Sequence, residues 1–413
     1  MMGQEKGVIM SQENDRQLPD GWQWVKLGDV CKIVNGSTPS STIEEYWNGD
    51  IIWITPTDLG KLSSSLITDA ARKITKSGYQ SCNTEIVPTN SVIISSRAPI
   101  GYIGIANIPL CTNQGCKSLV VTEKIDTWFL YFWLKLSIPV LKSIGKGTTF
   151  QEISKSQLTI FEIPLPPLSE QKRIAAILNE QMEAVEKARK ATEAQLEAAK
   201  ALPAAYLRAV FESEEANSWE RRKLGEICHI IGGNTLPDQI ISEVDERVYC
   251  LKVSDLDKSF CDNNYINSGQ IYTKRSLAGN RIIPPQSIVF PKRGGAIATN
   301  KKRILTVNAV LDPNLMAVYP SGKNLSNKYL YFWFESWDLS SIQSGNSVPQ
   351  INGKDIAPLE IPIPPLPKQQ QIASTLTEQM QEVERLKQNL KEQLDTINKL
   401  PAVLLRRAFN GEL

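Results

Sequence analysis

Trp22, Lys26, Leu27, Gly28 and Cys31 return as Trp219, Lys223, Leu224, Gly225 and Cys228, a shift of about 197 residues within a chain of 413. Self-similarity on that scale means that one folding unit is used twice. The match continues through Gly36 and Gly233, Thr38 and Thr235, and Asp58-Leu59 and Asp255-Leu256. It reappears in LYFW at Leu130 to Trp133 and Leu330 to Trp333, and in IPLPPL at Ile163 to Leu168 against IPIPPL at Ile361 to Leu366. Agreement is highest at the end of each copy, where IAAILNEQMEAVE (Ile174 to Glu186) faces IASTLTEQMQEVE (Ile372 to Glu384), and LPAAYLRAVF (Leu202 to Phe211) faces LPAVLLRRAF (Leu400 to Phe409). The two ends therefore share a task, and the less similar parts before them differ in theirs.

Within each copy, runs such as IIWITPTDL, SVIISSRAPIGYIGIA and QSIVFPKRGGAIA are rich in β-branched and aromatic residues and broken by Gly, Pro and Asn, which predicts short strands and tight loops. Apolar helical stretches follow around Thr127 to Ile144 and Asn327 to Ile342, their aromatics spaced as core packing. The chain should thus be α+β, with two mixed globular units.

After each proline linker, expected to be extended and stiff, comes a heptad pattern. Leu178, Val185, Thr192 and Ala199, with Met182, Ala188 and Leu196 between them, correspond to Leu376, Val383, Leu390 and Ile397, with Met380, Leu386 and Leu394. A seam of that length predicts a two-stranded coiled coil. The small Ala188, Thr192 and Ala199 would admit the bulkier Leu386, Leu390 and Ile397. About seven residues separate Phe211 from Trp219, so the second unit must begin near the end of the first helix. The pairing is therefore antiparallel, with an approximate twofold axis. Pro203 and Pro401 are expected to break or kink the helices, leaving about 33 regular residues, roughly 50 Å or 14 to 15 base pairs of B-form DNA.

The expected division is a flexible leader at 1–20, within which Met10 offers a second start, a globular unit at 21–163, linker and helix at 164–212, a second unit at 213–361, and linker and helix at 362–413. No run approaches the roughly 18 apolar residues of a membrane span. Seven cysteines without a C-x-x-C pair and a single histidine, His229, indicate neither a disulfide framework nor a zinc site and point to a reducing cytoplasm. A net charge of +2 neither favours nor excludes nucleic acid. Phosphate-loop, glycine-rich cofactor and D/N-P-P-Y/F methyltransferase motifs are absent from the sequence, so neither catalytic nor metal-binding residues are expected.

The two dissimilar units, the repeated IP-x-PPL junctions followed by EQKRIAAIL and KQQQIASTL, and the matching helices together resemble the specificity subunit of a Type I restriction-modification enzyme, over essentially all the chain after the leader. The resemblance implies two target recognition domains, each reading half of a bipartite DNA sequence, held apart by spacer helices. It implies two modification subunits that bring S-adenosylmethionine and methylate adenine, and restriction subunits that use ATP and Mg. Two alternatives stand beside it: a coiled-coil scaffold for two ligand-binding modules, and a specificity subunit of another multisubunit restriction class.

Base reading needs polar side chains of suitable geometry, on loops that differ between the copies. The candidates are Ser37, Thr38, Arg97, Asn113, Gln114 and Lys117 in the first unit, and Asn234, Thr235, Lys292, Arg293, Asn300, Lys301 and Arg303 in the second. Lys146 and Asn346 lie in polar segments before the linkers, Lys146 to Gln151 and Asn346 to Gln350, which are expected to touch phosphate.

Overall fold

A computed structural model describes residues 18–413 except 98, 146–150, 239–246, 258–260, 263, 270 and 345–347. Its organising helices are α1 (Thr127–Ile144), α2 (Leu168–Phe211), α3 (Asn327–Glu335) and α4 (Leu366–Phe409). The chain divides into two compact units, one of residues 1–192 and 393–413, the other of residues 193–392. The division cuts through both long helices, so each unit owns the beginning of one and the end of the other.

In the first unit, strands β1 (Gln23–Lys26), β2 (Cys31–Asn35), β3 (Trp47–Ile54), β4 (Leu66–Ile67), β5 (Lys73–Ile74), β6 (Val92–Ser95), β7 (Ile103–Ala106), β8 (Cys111–Thr112), β9 (Cys116–Val121) and β10 (Glu162–Leu165) form three sheets. Their orders are β2-β9-β6-β7-β4, β5-β3-β8 and β1-β10. The central strand β6 is buried on both faces. Val92 and Ile94 point with Ile33 and Leu119 toward α1, whereas Ile93 points with Val34, Ile54 and Cys116 toward the smaller sheet. That explains why VIIS reads as a continuous apolar run rather than an alternating one.

The second unit repeats this plan with β11 (Glu220–Lys223), β12 (Cys228–Gly232), β13 (Arg247–Leu251), β14 (Cys261–Asp262), β15 (Tyr265–Ile266), β16 (Tyr272–Lys274), β17 (Ile288–Pro291), β18 (Arg303–Leu305), β19 (Ala309–Leu311), β20 (Leu315–Pro320) and β21 (Glu360–Ile363). The orders are β12-β20-β17-β18-β15-β14, β16-β13-β19 and β11-β21, so among the described residues only β14 is additional. Here Ile288 and Phe290 face α3 while Val289 faces Leu251 and Leu305. The helix expected to reach Ile342 ends at Glu335, because Asp338 caps a separate short turn by accepting the amide of Ser340.

Each unit shows the long helices running in opposite directions. In the first, Ile174, Ala175 and Leu178 near the start of α2 share a core with Leu405, Ala408 and Phe409 at the end of α4. In the second, Leu207 and Phe211 at the end of α2 share one with Ile372, Ala373 and Leu376 at the start of α4. The terminal phenylalanines are anchors: Phe409 lies 5.1 Å from both Phe129 and Trp133, and Phe211 lies 5.5 Å from Tyr329.

Two expectations about these helices are corrected and one is sharpened. The proline junctions are extended, as expected, and are held as strands: Pro164 pairs with Trp24 and Pro362 with Arg221 in antiparallel ladders, and the helices start directly after, at Leu168 and Leu366. Pro203 and Pro401 do not end the helices, which run on to Phe211 and Phe409 for 44 residues each, a contour of about 66 Å. A mid-helix proline costs about 3 kcal/mol. Burial of Leu207 and Phe211 beyond one proline, and of Leu405 and Phe409 beyond the other, offsets it.

The seam itself also differs. Leu178, Thr192, Ala199, Leu376, Val383 and Leu390 are buried, and Met182, Val185, Leu196, Met380, Leu394 and Ile397 half-buried, but Ala188 and Leu386 are exposed. Seven residues after Met182 and Met380 come Arg189 and Lys387, both half-buried, and their aliphatic stems take the seam position while the charged ends stay wet. No helix among the described residues is long and apolar enough to cross a membrane.

Candidate nucleic-acid interface

The strand ends and loops of each unit gather the polar residues that matter. In the first unit Gly36 follows β2 so closely packed on the loop after β8 that a Cβ there would lie 1.8 Å from the Asn113 carbonyl oxygen. Only glycine fits. Ser37 then donates its amide to the Thr112 carbonyl at 2.9 Å, and Thr38 hydrogen-bonds to Gln114. Two indoles hold this loop from below, Trp53 Nε1 donating to the Ser37 carbonyl at 3.0 Å and Trp47 Nε1 to that of Ser40 at 3.1 Å. Arg72 stacks on Trp47, 3.7 Å from the ring centre, and so fixes the tryptophan in turn.

Beside that loop, Arg97 and Lys117 converge on Glu152. Arg97 Nη1 meets Oε2 and Lys117 Nζ meets Oε1, each at 3.2 Å, and Lys117 also donates to Ser96 Oγ at 3.2 Å and to the Gln114 carbonyl at 3.5 Å. All six first-unit candidates thus fall in one cluster, with different access. Thr38 and Gln114 are exposed, and Ser37, Arg97 and Asn113 half-buried. Lys117, expected as a base reader, has a side chain only 6% exposed, so it supports the cluster from beneath and presents no free ammonium. Part of Asn113 is also spent internally, its Oδ1 accepting the amide of Gly115 at 2.9 Å.

The second unit builds the corresponding place differently. Gly233 repeats the close approach of Gly36, with a Cβ there 1.9 Å from the Asp312 carbonyl oxygen. Asn234 and Thr235 follow it, both exposed, at the rim of a cleft of about 120 Å³ that Asn280 and Arg281 share. Lys292 and Arg293 follow β17 as Ser96 and Arg97 follow β6. Arg293 is exposed, while Lys292 is half-buried near Gly232. Burial, and then the neighbouring Arg293 charge, lower the pKa of Lys292 from the usual lysine value, with Asp312 opposing.

Three second-unit candidates are engaged within the unit. Asn300 sits in a left-handed turn with its Oδ1 turned inward, accepting from the buried Lys302 Nζ and from the Leu339 amide, both at 2.9 Å. Lys301 is ion-paired with Asp257. Arg303 donates to the carbonyls of Leu256 and Lys302 and to Asn264, and lines a separate cleft of about 730 Å³ with Leu207, Tyr331 and Met380. These side chains are used in holding the fold. Lys146 and Asn346 lie outside the described residues.

Sequence reading missed Glu152, Trp47 and Trp53, and placed Gln350 only at the end of a polar segment. Glu152 and Gln350 occupy one position of the repeat, acidic in one copy and neutral in the other. Burial pushes the thiols of Cys31, Cys111 and Cys228 up to about 12, which disfavours the thiolate at these three positions. Among the described residues no group of three His, Cys, Asp or Glu side chains is placed to hold a metal ion. What both clusters offer are hydrogen-bond donors and acceptors and positive charge on rigid strand ends, which suits recognition of an anionic, patterned ligand.

The model of the Type I restriction modification DNA specificity domain matches residues 19–197 and again 217–396. The chain belongs to this family. Among similar members, the Type I restriction enzyme MjaIX specificity subunit of Methanocaldococcus jannaschii is 28% identical over 416 residues, which span 96% of this chain and 94% of that one. The crystal structure of the HsdS subunit from Thermoanaerobacter tengcongensis aligns over 97% of this chain and 99% of its own, with a TM-score of 0.69 at 21% identity. A chain from work on complex assembly and conformational transition of the type I R-M system aligns over 96% of this chain and 100% of its own, with a TM-score of 0.71 at 21% identity. The duplicated fold is therefore that of Type I DNA specificity subunits, and each match to the family model covers one recognition unit with the first part of its long helix.

Proposed function

We propose that this specificity chain reads a bipartite DNA target, each unit contacting one half-site, with α2 and α4 setting an unread gap between them. The observation that carries the reading is the repeated cluster. The same glycine-supported loop and the same strand-end arginine recur in both units, while the polar side chains around them differ. A repeated frame with unlike contacts suits a pair of readers for unlike sequences. Ser37, Thr38, Asn113 and Gln114 would face one half-site, with Arg97 beside them on Glu152, and Asn234, Thr235, Lys292 and Arg293 the other.

In this reading the chain carries no chemistry. Methyl transfer from S-adenosylmethionine to adenine belongs to two modification subunits, and ATP- and Mg-dependent restriction to further partners, all in the cytoplasm. The test is selection from a random duplex library by the chain assembled with its modification subunits, alongside adenine-methylation maps of cells with and without it. Two groups of fixed letters at a constant gap are expected, the same in both experiments. Binding without sequence preference, or methylation maps that do not change when the chain is removed, overturns the proposal.

A further inference from the structure

The arginine after the central strand is held in the same way in both units and neutralised in only one. Arg97 forms a backbone bridge with Glu152, and Arg293 forms the corresponding bridge with Gln350. In the first unit the Glu152 carboxylate divides its oxygens between Arg97 and Lys117. In the second, Arg293 Nη2 meets the neutral Gln350 Oε1 at 3.4 Å, and Gln350 Nε2 turns away to Asn352 Oδ1 at 2.6 Å. Among the described residues no carboxylate pairs with Arg293. The second unit has its acid elsewhere: Asp312 stands where the first has Asn113, accepts the amide of Asn314 at 2.7 Å, and favours the charge on Lys292.

We propose that Glu152 is a positioning residue for half-site specificity, holding Arg97 away from DNA above the buried Lys117, and that Gln350 at the matching place leaves Arg293 free to contact it. The inference rests on the DNA-reading function proposed above. With Nη1 held on Oε2 the Arg97 guanidinium is turned toward Glu152 and its charge is offset there, and the carboxylate repels the DNA backbone. The Arg97 pair, about one-third exposed, adds little to folding, whereas the contact with the buried Lys117 gives Glu152 a structural part as well. The first unit therefore reads with Thr38, Gln114 and the remaining acceptor capacity of Glu152, and the second with Arg293.

The test uses the chain assembled with its modification subunits and compares Glu152→Gln and Gln350→Glu with the unmodified chain, by duplex selection and by salt titration of the selected duplex. A freed Arg97 in Glu152→Gln should change the letters of the first half-site only, and steepen the dependence of log K on log salt by about 0.9 for each phosphate newly contacted. Gln350→Glu should weaken binding about tenfold or more and flatten the slope by a similar step. Selection of the original first half-site with an unchanged slope by Glu152→Gln overturns the proposal, and the unaltered second half-site reports that the variant is folded. If Glu152→Gln fails to assemble, unchanged affinity and slope in Gln350→Glu overturns it instead. Absence of any preference in the unmodified assembly removes the DNA reading itself, which is a different failure from unchanged variants beside a selective parent.

Discussion

The side chain of Gln171 accepts the main-chain amide of Asp126 at 2.8 Å and thereby ties the start of α2 to the residue that caps α1. Its Nε2 donates to the carbonyls of Pro166 and Lys124 at 2.9 and 3.1 Å. Gln369 does the same in the second unit, accepting from the amide of Ser326, the cap of α3, and donating to the carbonyls of Pro364 and Asn324. Both glutamines are buried, at 1% and 0% exposure. A polar side chain so placed is kept because three backbone groups would otherwise be buried without partners.

Replacing either glutamine by alanine should destabilise its unit by about 3 kcal/mol, since an unsatisfied buried group costs 1 to 3 kcal/mol. Chemical denaturation of the chain should show a lower midpoint. A change within 0.5 kcal/mol would mean that water takes over these bonds.

Gly36→Ala is expected to distort the Ser37 to Ser40 loop, because its Cβ and the Asn113 carbonyl cannot both keep their places. Duplex selection should show relaxed letters in the first half-site and an intact second one. The reverse pattern is expected for Gly233→Ala, pressed against the Asp312 carbonyl. Uniform weakening across both half-sites would contradict this assignment.

The alkaline limb of DNA binding should carry the mark of Lys292. Its pKa lies below the usual lysine value, chiefly through burial, so its positive charge and whatever affinity it supplies are present at neutral pH and are lost as pH rises, earlier than for an ordinary lysine. Lys292→Arg should extend binding to higher pH. Identical pH profiles for the two chains would exclude Lys292 from the DNA contacts.

Adding one heptad to both α2 and α4 should lengthen each helix by about 10.5 Å and widen the gap in the selected sequence by about 3 base pairs, with the letters on either side unchanged. The comparison is a selection experiment on the two chains. A constant gap would show that the helices do not set the spacing.

Much of the architecture was legible because it rests on local, periodic signals. The heptad at Leu178, Thr192 and Ala199 and its partner at Leu376, Val383 and Leu390 mark one buried face of a helix by spacing alone. The capped aromatic helix, the glycine-supported loop and the repeated proline junction each lie within a few consecutive residues. Duplication of all of these at one shift fixed the two-unit plan, and the short connection after Phe211 fixed the antiparallel pairing.

Which charges are free was decided only by tertiary contact. Lys117 and Arg293 look alike as polar loop residues, yet one meets Glu152 35 positions away and the other meets Gln350 57 positions away. One is thereby buried in an ion pair and the other left exposed. Asn300 is turned inward by Lys302 and Leu339, and Leu386 is exposed while its neighbour Lys387 is half-buried. Helix and strand propensity act over a few neighbours along the chain, whereas the accessibility of a charge depends on which distant groups the fold brings within about 3 Å of it.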